Sequence, residues 1–257
     1  MTHTPKIRMQ DIHKTFGDKA VLRGVNLDIQ ASESVCIIGT SGCGKSVTLK
    51  CLLGLVTPDS GAIYVNGAQT VGQSRDKREE MLRQFGMTFQ FGALFDSLPI
   101  WENITFRLRQ RQPLTRKVAR DFAADIVSQL GLDGAVVDQY PAELSGGMQK
   151  RVALARAIAD KPEILLFDEP TSGLDPITGG VIDNLIVDQV KKLGATTLTI
   201  SHDMNSVRRI ADKVAMLHQG QIIWFGPVSE MDDTGIAEVD QFVHGNPIGP
   251  LTSGKVQ

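Results

Sequence analysis

A glycine-rich stretch that ends in lysine and serine is the part of the sequence best suited to chemistry. It follows a short apolar run and precedes a helical pattern, which is the setting of a phosphate-binding loop. Glycines let backbone N–H groups turn inward around an anion, and the N-terminus of the following helix adds partial positive charge. Lys45 would reach the β- and γ-phosphates of a nucleotide, and the Ser46 hydroxyl would bind magnesium. The residues that we expect to contact the nucleotide are Gly39, Thr40, Ser41, Gly42, Cys43, Gly44, Lys45, Ser46 and Val47.

Two acidic residues, Asp168 and Glu169, follow an apolar run that predicts a buried strand. Ligands of open α/β sheets lie beyond the carboxyl ends of the strands, so these acids would face the nucleotide. Asp168 would hold magnesium, directly or through water, and Glu169 would orient and polarise the attacking water. His202 follows a later apolar run and could hydrogen-bond the γ-phosphate. The other interpretation is a charged strand end before a turn at Pro170, and a single histidine is more often structural or solvated.

A second phosphate-binding turn lies in the middle of the chain. It contains Ser145, Gly146 and Gly147 and opens a helix that we predict to run to Ala159. A serine and two glycines at a helix N-terminus build another anion-binding nest. One chain would thus carry two phosphate-binding surfaces, and a head-to-tail pair of chains would let each nest close over its partner's nucleotide.

Together these motifs resemble the ATP-binding cassettes of ABC transporters. Residues 145–152 are similar to the ABC signature motif, and the phosphate-binding loop, the acidic pair and His202 stand in that family's order. The resemblance covers nearly the whole chain and implies an ATPase that uses ATP and Mg²⁺. It also implies a homodimer of cassettes that works with an integral membrane permease.

The same resemblance assigns roles to further residues. Phe16 occupies the place of the aromatic side chain that stacks on adenine, and Gln90 matches the Q-loop glutamine, which senses magnesium and couples to the membrane subunit. The implied catalytic residues are Glu169, His202 and Gln90, and the implied metal ligands are Ser46, Gln90 and Asp168. The signature residues that would bind the partner chain's ATP are Ser145, Gly146, Gly147 and Met148. The D-loop residues, which communicate across the paired sites, are Ser172, Gly173, Leu174 and Asp175.

Three stretches are similar to Mla-type phospholipid-transport ATPases, which serve MCE-protein systems: residues 89–98, 175–178 and 241–250. This resemblance implies phospholipid transport between the inner and outer membranes by a cassette on the cytoplasmic side of the inner membrane. The implied partners are a permease (MlaE-like), a periplasmic MCE protein that holds lipid (MlaD-like) and a small cytosolic STAS-domain protein (MlaB-like). The first stretch would equally suit the core of a helical subdomain.

Other functions within the superfamily remain alternatives. A cassette for import or export of another solute would share all the ATPase residues, although the segment after Phe225 is too short for the regulatory domain of sugar importers. Non-transport members are less favoured. DNA-repair and chromosome ATPases interrupt the cassette with long coiled coils, and translation factors carry two cassettes. GTPases carry an Asn-Lys-x-Asp segment. The sequence contains none of these features.

Composition limits the partners and the location. The formal net charge of −2 provides no global basic field, so we expect no nucleic-acid partner. No apolar run approaches the roughly 18 residues of a membrane-spanning helix, and residues 1–8 lack the apolar segment of a signal peptide, which predicts a peripheral cytosolic protein. Basic residues concentrate between Arg107 and Arg120, either as a solvated helix face or as a surface near anionic lipid.

The elements that must position these motifs follow from apolar periodicity. Strands alternate with helices, which predicts an α/β fold with a mostly parallel sheet. By resemblance this is a RecA-like P-loop NTPase core with an N-terminal antiparallel β subdomain and an inserted α-helical subdomain. We place a single ABC ATPase domain at residues 1–244, its helical subdomain at about 91–160, and a C-terminal extension at 245–257. The predicted strands are 25–29, 35–38, 61–65, 85–89, 164–167, 195–200, 214–217 and 222–225, and the predicted helices include 45–53, 145–159, 177–193 and 204–210.

Several side chains are expected in the interior. Helical spacing places two apolar sets inside, namely Val118, Phe122, Ile126 and Leu130, and Val181, Leu185 and Ile186. The cysteines are expected to be reduced, with Cys36 and Cys51 in the core. Lys45 and the helix N-terminus should favour the thiolate of Cys43, although an unreactive small side chain is an equal alternative. The Gly- and Pro-rich tail should form no regular element and, around Phe242, should pack on a neighbouring subunit.

Overall fold

The computed structural model describes residues 4–90 and 92–252 and is an α/β protein. None of the helices in these residues is both long and apolar enough to cross a lipid bilayer. The regular elements are β1 (Ile7–Phe16), β2 (Lys19–Ile29), β3 (Ser34–Ile38), α1 (Lys45–Leu52), β4 (Ser60–Val65), β5 (Ala68–Gln69), α2 (Arg75–Leu82), β6 (Phe85–Thr88), α3 (Ile100–Arg111), α4 (Arg116–Gln129), α5 (Gly146–Ile158), β7 (Ile164–Asp168), α6 (Pro176–Leu193), β8 (Thr196–Ile200), α7 (Met204–Ile210), β9 (Lys213–His218), β10 (Gln221–Pro227) and α8 (Ala237–His244), with short 3-10 helices at Gly134–Asp138, Pro141–Glu143 and Val228–Glu230.

The chain divides into two compact units. The first comprises the residues up to Leu82 and those from Leu198 onward, and the second comprises Arg83–Thr197. In the first unit β2, β1, β4 and β5 form an antiparallel sheet in that order. A second group of strands follows the order β10, β9, β3 and the end of β8. Because β3 pairs parallel with β9, with Ile38 opposite Met216, the strand that enters the glycine-rich loop is anchored along its length.

In the second unit, the start of β8 lies beside β7, and β7 pairs parallel with β6. Thr88 lies opposite Phe167, and Phe167 is fully buried among side chains from the helices of this unit. Burial of an aromatic side chain of this size contributes about 1.5–3 kcal/mol, which anchors the strand ends that carry Gln90 and Asp168. The proposed helical subdomain lies within this unit, apart from residue 91, which is outside the described residues.

All the predicted strands and helices are present, with ends displaced by a few residues. Asn66 and Gly67 join β4 to β5 in a tight turn, and both residues have positive φ angles, 51° and 77°. Two consecutive positive φ angles define the type I′ hairpin turn that Asn-Gly favours. The α/β class with a helical region is therefore confirmed.

The inward sets predicted on two helices are buried or packed against the core except for their first members, which were predicted wrongly. Val118 on α4 is 53% exposed and Val181 on α6 is 40% exposed. On α4 the buried positions begin one residue later, at Ala119 and Ala123, which are completely buried where α4 packs against α3 and α5. One residue turns the face by about 100°, and small alanines let helices approach closely although their side chains carry little hydrophobic signal.

Four elements outside the predicted helical region were not predicted, namely β1, the two-residue strand β5, α2 and α8. Bulges between Met9 and Ile12, where Asp11 has a φ of 49°, break the alternation of β1. Helix α2 buries only Met81, so its sequence carries no apolar face. Helix α8 lies directly before the Gly- and Pro-rich tail and was assigned to no helix.

Four arginines of the basic stretch between Arg107 and Arg120 form ion pairs with acids of the second unit. Arg109 Nη1 lies 2.8 Å from Glu102 Oε2, and Arg120 forms an ion pair with Asp138. Two further arginines, Arg107 and Arg111, pair with the buried carboxylate of Asp160. Because acids already pair with these arginines, the structure favours the helix-face interpretation over a lipid-binding surface. The basic run in the sequence did not show these partner acids.

The tail is held to α8 by the side chain of Gln241. Its Nε2 donates to the Asn246 carbonyl at 3.0 Å and to Thr252 Oγ1 at 3.2 Å, and its Oε1 accepts from the Leu251 N–H at 2.8 Å. Phe242 packs against its own chain's core in the first unit. Residues 245–252 contain no helix or strand, as predicted, and residues 253–257 lie outside the described residues. Packing of the tail on a neighbouring subunit stays a prediction.

Candidate functional site

The glycine-rich loop lies in the first unit between the end of β3 and the start of α1. Gly39 has a φ of 145°, and a Cβ built on it would lie 2.2 Å from the Leu217 carbonyl oxygen. Gly44 has a φ of 117°, and its Cβ would lie 2.8 Å from Leu22 Cδ2. No other residue fits at either position, so the neighbouring strands fix a loop that leaves its backbone open to an anion.

Lys45 and Ser46 begin α1 directly after this loop. Lys45 Nζ donates to the carbonyl oxygens of Gly39 at 2.7 Å and Thr40 at 3.0 Å, so the ammonium is held against the loop. Ser46 is exposed, and Gly44 caps the helix without a side chain. These features fit a phosphate group. The Lys45 ammonium supplies positive charge, the glycine loop leaves space where a Cβ would otherwise lie, and the N-terminus of α1 is open.

The structure disfavours a reactive thiolate at Cys43, which was one of the two interpretations of this residue. The thiol is buried within the loop, and this burial raises its pKa more than the nearby Lys45 lowers it. Burial also raises the pKa of the Cys51 thiol to about 11, and Cys36 is buried and forms no disulfide within the described residues. The structure favours the alternative interpretation, in which Cys43 is an unreactive small side chain.

Phe16 and His202 also lie in the first unit. Phe16 ends β1 with 47% of its surface exposed, and Lys14 Nζ lies 5.4 Å from its ring centre. An exposed ring beside a cation can offer a face to a flat base. His202 is exposed and lies between β8 and Asp203, whose carboxylate caps α7. Both predicted side chains are therefore accessible.

Glu169 and Gln90 meet in the second unit. Gln90 follows β6, Glu169 follows β7, and Gln90 Nε2 donates to Glu169 Oε2 at 3.3 Å. Glu169 has a φ of 49°, in the left-handed region, which costs roughly 1–3 kcal/mol for a residue with a side chain. Asp168 is the last residue of β7, so the acidic pair stands at the carboxyl end of a buried strand, as predicted.

The signature turn and the D-loop contact each other in the second unit. Ser145 caps α5 by accepting a hydrogen bond from the Met148 N–H at 3.4 Å. A Cβ on Gly147 would lie 3.0 Å from Thr178 Cγ2, and one on Gly146 would lie 3.7 Å from Leu174 Cδ2. Glycine at position 147 therefore lets the start of α5 approach the start of α6.

Asp175 fixes the end of the D-loop. Its Oδ1 accepts from the N–H groups of Ile177 and Thr178, both at 3.0 Å, and thereby caps α6. A hydrogen bond from the Thr178 side chain, together with these backbone bonds, lowers the pKa of the Asp175 carboxyl. The D-loop, the signature turn and the Q-loop line one open cavity of about 380 Å³. Its lining includes Gln90, Gly146, Ser172, Gly173, Leu174 and Lys150, and sequence reasoning had missed Lys150.

The predicted site residues thus fall into two sets. The first unit carries Phe16, residues 39–47 and His202, which suit a base and phosphates. The second unit carries Gln90, residues 145–148, Asp168, Glu169 and the D-loop, which suit water activation and a second phosphate contact.

Comparisons with known proteins agree with this chemistry. The model of the ABC transporter family matches residues 22–172. The Arabidopsis thaliana protein TRIGALACTOSYLDIACYLGLYCEROL 3, chloroplastic, is 39% identical over 261 residues, which cover 95% of this chain and 75% of that protein. The probable ribonucleotide transport ATP-binding protein mkl of Mycobacterium leprae is 37% identical, covering 95% and 70%. The methionine import ATP-binding protein MetN of Brucella abortus is 37% identical, covering 100% and 66%.

Solved structures are similar over most of the chain. The dimeric, post-hydrolysis ATP-binding cassette MJ0796 bound to ADP and Pi has a TM-score of 0.79 at 30% identity, covering 86% of this chain and 98% of that one. CbiO1 of Clostridium perfringens, part of the cbiONQ transporter complex, has a TM-score of 0.80 at 27% identity, covering 95% and 96%. Cassettes of this kind work as dimers with a membrane permease. The chain therefore belongs to the ABC transporter family, as an ATP-binding subunit that hydrolyses ATP with Mg²⁺.

Proposed function

We propose that this chain powers phospholipid transport between the inner and outer membranes and so maintains the lipid asymmetry of the outer membrane. The observation that carries the proposal is the similarity to the Arabidopsis protein, whose name refers to a galactolipid, over 95% of the chain. The stretches at residues 89–98, 175–178 and 241–250, which resemble Mla-type cassettes, support the same class of cargo.

In this proposal the first unit binds the nucleotide. The loop N–H groups and the Lys45 ammonium, now hydrogen-bonded to loop carbonyls, would receive the β- and γ-phosphates. Phe16 would stack on adenine, and His202 would hydrogen-bond the γ-phosphate. The Ser46 hydroxyl belongs to the class of hard oxygen ligands that Mg²⁺ prefers, and bound Mg²⁺ would neutralise charge on the phosphates.

The second unit activates water and caps the partner chain's nucleotide. Asp168 and Gln90 would supply further oxygen ligands for Mg²⁺, and Glu169 would orient the attacking water. The nest at Ser145, Gly146, Gly147 and Met148 would hold the γ-phosphate bound to the other chain, while the D-loop would report on the paired site. Each ATP would therefore be held by two chains.

The segment after Gln90 offers a surface for the permease. Phe95 is 42% exposed, and its ring packs 4.7 Å from that of Phe106. The Asn103 side chain accepts from the Phe95 N–H at 2.7 Å and donates to the carbonyls of Phe95 and Leu98. Because the buried amide fixes this backbone, an apolar surface next to the Q-loop is presented rigidly, as a coupling contact requires.

The proposed assembly contains two copies of this chain, a membrane permease, an MCE protein that holds lipid, and a small STAS-domain protein. The cassette would lie on the cytoplasmic side of the inner membrane, attached through the permease. A second candidate function is transport of a small polar solute, which the similarities to MetN and to mkl favour.

Purification of the tagged chain from native membranes separates these functions. We expect mass spectrometry to find a permease, an MCE protein and phospholipid with the wild-type chain. Phe95→Glu should lose these partners because it places a charge on the proposed apolar contact. Leu55→Glu, which changes another exposed apolar residue, should keep them. Recovery of a solute-binding protein without lipid would reject phospholipid transport and favour the second candidate.

A further inference from the structure

Lys150 on α5 joins three loops of the second unit. Its Nζ donates to the carbonyl oxygen of Gln90, lies 3.4 Å from the carbonyl oxygen of Glu169, and lies 3.5 Å from Ser172 Oγ. Ser172 Oγ in turn donates to the Gln90 carbonyl at 3.3 Å. One ammonium therefore contacts the Q-loop, the loop after β7 and the D-loop.

The surroundings of Lys150 are unusual for a lysine. The side chain is half-buried, and burial lowers its pKa, while the charges of Glu169 and Asp168 act in the opposite direction. Desolvating an ammonium is unfavourable unless hydrogen bonds replace the lost water. The next residue, Arg151, has a different task, since its Nη1 donates to the carbonyls of Leu130 and Gly131 at the end of α4.

The backbone that Lys150 contacts carries the two side chains proposed to act on water. Gln90 Nε2 and Glu169 Oε2 are hydrogen-bonded at 3.3 Å, and Glu169 has a left-handed backbone. The Ser172 N–H also donates to the Glu169 carbonyl, at 3.2 Å. A residue with a strained backbone keeps its conformation only when contacts with its surroundings hold it there. The contact of Lys150 with the Glu169 carbonyl is one of these contacts.

A second basic residue on α5 strengthens the attachment of the helix to the Q-loop. Arg156 donates to the carbonyls of Gly92 and Ala93, both at 2.8 Å. Together, Lys150 and Arg156 contact the backbone of residues 90, 92 and 93 from one helix. Charge-assisted hydrogen bonds are roughly twice as strong as neutral ones, so α5 is well suited to set the position of this loop.

We propose that Lys150 is a positioning residue for ATP hydrolysis, which fixes the Gln90 amide and the Glu169 carboxylate relative to each other by holding the backbone carbonyl of each. The inference rests on the proposed roles of Gln90 and Glu169. Lys150 itself contacts neither nucleotide nor water in this account. Since α5 begins at the signature turn, the same lysine links the position of that turn to the geometry of the catalytic side chains.

The test compares variants in the transporter complex purified from native membranes. Lys150→Met keeps the length and apolar stem of the side chain but removes its donors. We expect kcat to fall about 10- to 100-fold, because small misplacements of catalytic groups have effects of this size, while KM for ATP changes less than about twofold. Lys150→Gln retains a donor and should recover part of kcat.

Two reference variants make the outcome decisive. Arg120→Met breaks the ion pair with Asp138 in the same unit and should keep wild-type kcat at a similar melting temperature. Wild-type kcat in Lys150→Met, a rise in KM alone, or no recovery in Lys150→Gln would each overturn the proposal. If Lys150→Met is unstable, the comparison of Lys150→Gln with Arg120→Met at matched melting temperature decides instead. Glu169→Gln is measured in parallel, because activity in that variant would reject the role of Glu169 and not only that of Lys150.

Discussion

Replacing Glu169 by Gln should reduce ATP hydrolysis by about 10²- to 10⁴-fold while leaving Mg²⁺-ATP binding intact. The substitution keeps the shape of the side chain and its contact with Gln90 Nε2, now 3.3 Å from Glu169 Oε2. It removes the negative charge that orients and polarises water, and it leaves the loop and lysine of the first unit unchanged. The variant should therefore accumulate as a closed pair of cassettes with ATP bound.

Three measurements on this variant check the prediction. Steady-state hydrolysis reports the loss of activity, equilibrium nucleotide binding reports retention of ATP, and light scattering reports the mass of the paired state. Glu163→Gln is the matched control, because Glu163 is exposed just before the opposite end of β7 and should keep full activity. Hydrolysis near the wild-type rate in Glu169→Gln would show that another group activates water.

Replacing Lys45 by Ala should weaken nucleotide binding by roughly 10- to 150-fold. Hydrogen bonds to charged groups contribute about 1.5–3 kcal/mol, and 1.4 kcal/mol corresponds to a tenfold change in Kd. Lys45 Nζ donates hydrogen bonds to two carbonyls of the loop itself, those of Gly39 and Thr40. Its ammonium is therefore placed at the loop where phosphate would enter.

Fluorescent ATP-analogue binding measures this effect. Lys50→Ala is the matched control, since Lys50 is exposed in the last turn of the same helix and should leave the Kd unchanged. Both variants should fold, because neither residue belongs to the buried core. Equal affinities of Lys45→Ala and the wild type would place the phosphates away from this loop.

The sequence predicted most of the strands and placed the candidate site residues at the strand ends, because both features depend on local patterns. Short apolar runs identified β3 and β7, and the glycines and acids that follow each strand identified the loops that carry chemistry. Parallel pairing of β3 with β9 and of β6 with β7 then agrees with the predicted strand–helix alternation. Such features need no knowledge of distant contacts.

What the sequence missed depends on tertiary packing. The exposed positions of Val118 and Val181 reflect which helices lie beside α4 and α6, and apolar periodicity does not fix that rotation. Burial in the loop raises the pKa of the Cys43 thiol more than the nearby Lys45 lowers it. The role proposed for Lys150 depends on its contacts with Gln90 and Glu169, which lie 60 and 19 positions away in the sequence.

The central claim is that each ATP is held between two chains. The most direct test of this claim is to mix two inactive variants. Lys45→Ala removes a nucleotide contact and Ser145→Ala removes the cap offered to a partner, so each variant alone contains only defective sites. Half the dimers in an equal mixture are mixed, and each has one intact site, so roughly a quarter of wild-type hydrolysis should return. A mixture no more active than its components, or wild-type activity in Ser145→Ala alone, would contradict the account.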